Sequence, residues 1–92
     1  MDTKGNIEIN NEIANCETFF ELLIDDKDKT SATLSPQSGQ DTYLIEHQES
    51  LLKHIFEIQG KGATNIQCGY PVQYKLYGDV WFMKEKGKIN LI

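Results

Sequence analysis

From Pro71 to Ile92 the chain alternates apolar and polar residues, PVQYKLYGDVWFMKEKGKINLI, and glycine-bearing turns interrupt the alternation twice. Gly78-Asp79 has glycine at the first central position, as a type II′ hairpin turn requires, which sets Tyr77 opposite Val80, Leu76 opposite Trp81 and Tyr74 opposite Met83. A three-residue loop, Glu85-Lys86-Gly87, with Gly87 in the left-handed position, would pair Met83 with Ile89 and Trp81 with Leu91. Directly paired residues point the same way, so both turns predict one inner face: Val72, Tyr74, Leu76, Trp81, Met83, Ile89 and Leu91. Gln73, Lys75, Tyr77, Val80, Phe82, Lys84, Asn90 and Ile92 fall outside. The expected element is a three-stranded antiparallel meander over 71–92.

Upstream, Leu51, Leu52, Ile55, Phe56 and Ile58 recur at helical spacing, with Glu49, Lys53 and Glu57 on the other side, which predicts a helix over about 48–59. Gly60 or Gly62 would cap it in the left-handed conformation. Ala63 to Cys68 reads as a strand leading into the meander, and DTYLIEH (41–47), which opens on β-formers, as a strand over 42–46. Residues 13–24 fit either a helical stripe (Ile13, Cys16, Phe20, Leu23, Ile24) or, from Phe20, an alternating strand. The polar run Asp25-Asp26-Lys27-Asp28 and the Thr-rich stretch after it favour a hairpin over 18–35, preceded by a helical turn. Ser35 to Gln40 has the composition of a surface loop. Residues 1–10 read as a loose terminus or, over 6–10, a short edge strand. The predicted fold is α+β: a single small domain spanning 1–92, with a mostly antiparallel sheet of four to six strands and one main helix packed on one face.

Composition narrows the function more than the fold. The chain has 92 residues, 39% apolar and 25% charged, which suits one globular domain. No apolar run approaches the ~20 residues of a membrane span, and the first dozen residues lack the order of a secretory signal. A cytosolic protein is expected. Net charge is −5, with no arginine. Residues 1–59 hold twelve Asp/Glu against four Lys, and residues 60–92 hold two against five Lys. An acidic surface repels phosphate and the bidentate reader of phosphate and guanine is missing, so direct nucleic-acid binding is not expected. A basic protein partner fits better.

Candidate chemistry is sparse. Cys16 and Cys68 stand far apart with no Cys-x-x-Cys spacing, which suits two buried thiols in a reducing compartment better than one long-range disulfide. Cys68 with His54 or His47 would be the raw material of a thiol nucleophile and its base, but nothing local supplies the orienting group. Gly60, Gly62 and Gly69 follow a predicted helix, where the dipole repels phosphate, and so read as turn residues. Asp25, Asp26 and Asp28 resemble part of a calcium loop, yet the glycine and the closing glutamate are absent. No catalytic residue, metal ligand or cofactor is expected.

What remains is a surface. Asp25, Asp26 and Asp28, with Glu17, Glu21 and Asp41, would present carboxylates to a cationic cleft, and Tyr43, Tyr77 and Phe82 would anchor the contact. Size and charge are those of small inhibitors that cover a basic active site: immunity proteins or antitoxins of nuclease-type toxins, or phage-type inhibitors of defence complexes. That likeness is one of composition. A non-catalytic subunit, or a self-associating module joined through a sheet edge or the Tyr77/Phe82 face, is the alternative.

Overall fold

The computed structural model describes residues 4–9, 17–62 and 64–92. Among the described residues there are eight strands: β1 (Ile7–Glu8), β2 (Phe20–Ile24), β3 (Ser31–Pro36), β4 (Phe56–Gly60), β5 (Ile66–Tyr70), β6 (Val72–Tyr77), β7 (Val80–Glu85) and β8 (Gly87–Leu91). Two short helices, α1 (Asp41–Glu46) and α2 (Gln48–Leu51), join β3 to β4. Residues 17–19 are also helical and lead into β2. The strands form two sheets, an antiparallel one in the order β1-β7-β6-β3-β2 and a smaller one in the order β4-β8-β5. In the small sheet β8 runs parallel to β4 and antiparallel to β5.

The hairpin of β6 and β7 forms as the alternation predicts. Tyr77 pairs with Val80, Leu76 with Trp81 and Tyr74 with Met83. Gly78 has φ +61 and no described non-glycine residue has positive φ, the signature of type II′. A bulge then makes Lys84 an extra residue, since Gln73 faces Glu85 while Tyr74 faces Met83.

The second half of the expected meander is not there. The free side of β7 is taken by the N-terminal segment, with Ile7 opposite Trp81 and Glu8 opposite Val80. Ile9 N–H extends this pairing to the Asp79 carbonyl (2.9 Å), and the Asn6 side-chain oxygen accepts the Met83 N–H (3.0 Å). With both sides of β7 occupied, the chain leaves the sheet after Glu85 and β8 inserts between β4 and β5. Gly87 makes that crossing possible by having no side chain. It is buried, its φ is not positive, and a Cβ there would sit 2.6 Å from both the Phe56 ring and the Tyr70 carbonyl oxygen. The seven inward residues are all buried or half-buried nonetheless, Ile89 and Leu91 within the small sheet.

The single main helix over 48–59 is also corrected. Strand makes up 49% of the described residues and helix 16%, and no one helix packs across a sheet. Only Gln48–Leu51 is helical; residues 52–55 turn, and β4 pairs Phe56–Gly60 with Gly87–Leu91. The apolar spacing served both readings: Leu52, Ile55 and Phe56 are buried either way, and Phe56 in, Glu57 out is as good a strand as a helix. Conversely, the strand expected over 42–46 is helix α1. Leu44 and Ile45 are adjacent and both buried, which a helix face allows and an alternating strand does not. Gly60 does have positive φ (+81), but as the end of β4 instead of a helix cap.

The hairpin over 18–35 is observed as β2 and β3, with Leu22 opposite Leu34. Asp25 N–H bonds Ser31 O and Gln37 N–H bonds Phe19 O, so the odd residues of β2 carry the ladder. Phe20 and Pro36 therefore face each other in a non-hydrogen-bonded pair, where proline's missing N–H costs nothing. The helical stripe beginning at Ile13, and Cys16 with it, lies outside the described residues.

The core joins the inner face of the large sheet to the helical segment and the small sheet. Ile7, Leu34, Leu44, Leu52, Ile55, Phe56, Val72 and Ile89 are fully covered, and Phe20 stacks towards Phe56 with ring centres 6.3 Å apart.

Candidate functional site

Two turns meet at one end of the large sheet. Ser31 pairs with Lys75, and Leu76 N–H bonds the Thr30 carbonyl (2.7 Å), so the turn over 25–30 lies beside the Gly78-Asp79 turn. Glu8, opposite Val80, arrives at the same end. Five carboxylates (Glu8, Asp25, Asp26, Asp28, Asp79) thus gather there with Lys27, Lys29 and Lys75. The end is acidic, though less so than the first 59 residues taken as a block.

These carboxylates have unequal roles. Asp28 is committed to the fold: it accepts the Thr30 hydroxyl, the Lys75 ammonium (2.9 Å), the Ser31 hydroxyl (2.8 Å) and the Thr30 N–H (3.0 Å). Those bonds, the Thr30 hydroxyl first and Lys75 next, hold its carboxyl far below the usual carboxylate range. Asp25 is exposed and accepts the Lys27 N–H on one oxygen (2.8 Å), which fixes the turn. Asp26 and Asp79 are exposed.

On the outer face next to this end, Tyr77 and Phe82 form an edge-to-face pair with ring centres 5.8 Å apart. Tyr77 is 62% exposed and Phe82 41%. Among the described residues nothing folds over them. Leu23 is exposed on the same face, beyond Thr33 and Gln73, and a groove of about 390 Å³ runs there, whose lining includes Leu23, Thr33, the carboxylates Asp25 and Asp26 and the lysines Lys75 and Lys84. No family model, curated protein or solved structure matches this chain.

Four of the expected contact residues lie elsewhere. Asp41 accepts the Ile66 N–H (2.9 Å), tying the start of α1 to β5. Tyr43 stacks flat on Phe19 (5.0 Å) and leans on His47 (4.3 Å). Glu17, in the helical residues before β2, and Glu21, opposite Ser35, are exposed but nearer the other end of the sheet. Asp25, Asp26, Asp28, Tyr77 and Phe82 are brought together. Sequence reasoning missed Glu8 and Asp79, because their place depends on β1 joining β7 and on β3 joining β6.

Cys68 is exposed on β5, against the expectation of a buried thiol, and partial desolvation pushes it above the ordinary thiol range, which disfavours the thiolate. His47 is engaged with Tyr43 and His54 is half-buried. Among the described residues no three His, Cys, Asp or Glu side chains are placed to hold a metal ion, and no helix is long and apolar enough to cross a membrane.

Proposed function

We propose that this chain is a non-catalytic inhibitor that binds a basic protein partner and covers its active site, acting in the cytosol as an immunity protein or antitoxin does against a nuclease-type toxin. The observation that carries the reading is the exposed Tyr77–Phe82 pair standing beside the carboxylates of the two-turn end. Aromatic side chains with low conformational entropy make good anchors, and neighbouring carboxylates steer a cationic surface onto them and take positions that substrate phosphates would occupy. In such a complex Asp25, Asp26 and Asp79 set the approach, while Tyr77 and Phe82 slow dissociation.

The test is affinity capture with the intact chain from the native host's cytosol at low salt, followed by an activity assay of the recovered protein. The expected result is a basic enzyme whose activity falls as the chain is titrated in. Tyr77→Ala with Phe82→Ala should weaken that complex by roughly 30-fold or more, and Asp25→Lys with Asp26→Lys should slow association and flatten its salt dependence. Capture of a partner that binds both variants as well as the wild type, or whose activity is untouched, would refute the reading.

A further inference from the structure

We infer that β2 is a self-pairing edge: two copies of the chain join β2 to β2 antiparallel about a two-fold axis, so that two five-stranded sheets become one of ten. The inference starts from the ladder. Because residues 19, 21, 23 and 25 bond to β3, the N–H and C=O groups of Phe20, Leu22 and Ile24 point away from it, and among the described residues no strand lies beside them. Such a row is a template for another strand unless it is blunted by proline, lysine, a bulge or shortness. The other edges are blunted. β1 has two residues, β5 is broken by a bulge between Cys68 and Tyr70, and β4 exposes Glu57 and Gln59 and ends on the left-handed Gly60. β2 carries one exposed charge, Glu21, but no proline, lysine, bulge or left-handed glycine, and aliphatic side chains stand uncovered on both of its faces, Leu23 at 56% and Ile24 at 48% exposure.

The occupant follows from the pattern of charge and hydrogen-bonding groups. In an antiparallel self-pair the outward residues must face one another, so the axis can pass through Leu22 or be displaced by half a pair to either side. Through Leu22, it pairs Leu22 with Leu22 and Phe20 with Ile24 of the second copy, with room for about six main-chain hydrogen bonds. Glu21 then lies against Leu23 of the second copy, and no two like charges are directly opposed. Displaced one way, the axis sets Glu21 against Asp25 of the second copy; displaced the other way, Glu21 meets Glu21. Both cost hydrogen bonds as well as repulsion. A strand of this same sequence thus satisfies the edge in one register and covers Leu23 and Ile24. The contact leaves Tyr77 and Phe82, on β6 and β7, uncovered, so it stands or falls apart from the inhibitor reading.

Sedimentation equilibrium of the intact chain, with amide hydrogen exchange followed at the same concentrations, tests the inference. The expected result is a monomer–dimer equilibrium in which the Leu22 and Ile24 amides become protected as dimer forms, by about tenfold or more, while Glu21 and Leu23 are protected throughout. Leu22→Pro removes an outward N–H and no bond to β3, and Ile24→Lys places a solvated charge on the edge. Each should raise the dissociation constant at least about tenfold. If Leu22→Pro does not fold, Ile24→Lys and the wild-type exchange pattern decide the matter. A chain that stays monomeric up to millimolar concentration, a dimer whose Leu22 and Ile24 amides exchange as fast as in the monomer, or an Ile24→Lys dimer of unchanged affinity overturns it. The first of these outcomes leaves the edge to a strand from another protein.

Discussion

Tyr74 donates its hydroxyl to the carbonyl of Gly5 across 2.6 Å, a buried side-chain hydrogen bond that reaches from β6 to the N-terminal segment. Gly5 itself is left-handed (φ +83) and buried, so its carbonyl has no ready access to water. Tyr74→Phe keeps the ring and strands that acceptor, which should cost ~1–3 kcal/mol. In a domain of this size each kcal/mol lowers the melting temperature by roughly 4–8 °C. An unchanged denaturation midpoint would mean the carbonyl finds another donor.

Trp81 is 3% exposed and lies between Leu76 on β6 and Ile7 on β1. Trp81→Ala should remove about 3–5 kcal/mol, enough to unfold a large share of molecules in a domain of marginal stability. Circular dichroism at 25 °C reads the outcome directly, and a melting curve close to wild type would contradict this placement of the indole.

Gly87→Ala asks the Phe56 ring and the Tyr70 carbonyl to make room for a methyl at 2.6 Å. One of these neighbours is backbone, so the strain has no soft outlet, and a loss of ~1–3 kcal/mol is expected. Since Gly87 sits between β4 and β5, amide exchange should accelerate first in the small sheet.

The Asp28 carboxyl titrates far lower folded than unfolded. A depressed folded value means its stabilising contribution is complete above the unfolded carboxylate value of about 3.9 and is lost as pH falls from there toward the folded value. Asp28→Asn should therefore be less stable than wild type at pH 7, and the gap in urea midpoint should narrow on acidification below about pH 4. A gap that holds constant down to pH 2 would assign the effect to something other than the charge on Asp28.

The parts of the fold legible in the sequence were those fixed by neighbours in the chain. Gly78-Asp79 determines the β6–β7 register through one turn, and the Asp-rich run does the same for β2 and β3, so both hairpins could be read. The inward set from Val72 to Leu91 was legible because period two survives whichever strand lies alongside. What failed was pairing between distant segments. Nothing near Gly87 announces that residues 6–9 already occupy the far side of β7, so a local loop looked sufficient. Over 48–59 the apolar spacing suits a helix until the parallel pairing of β4 with β8 is known. The candidate surface divides along the same line. Tyr77 and Phe82 were visible as the outward half of an alternation, whereas their meeting with Glu8, Asp25 and Asp79 depends on β1 and β3 closing around the hairpin. Asp41 and Tyr43, assigned to that surface by residue type, serve the packing of α1.

The partnerships of Ile7 with Trp81 and of Phe56 with Gly87 also bear on how quickly the molecule assembles. Each can form only after a long span of chain has been brought round, and the entropy of closing those spans is spent before the contacts return anything. Refolding from denaturant should take milliseconds to seconds instead of microseconds, with the β6–β7 ribbon waiting on the far ends of the polypeptide.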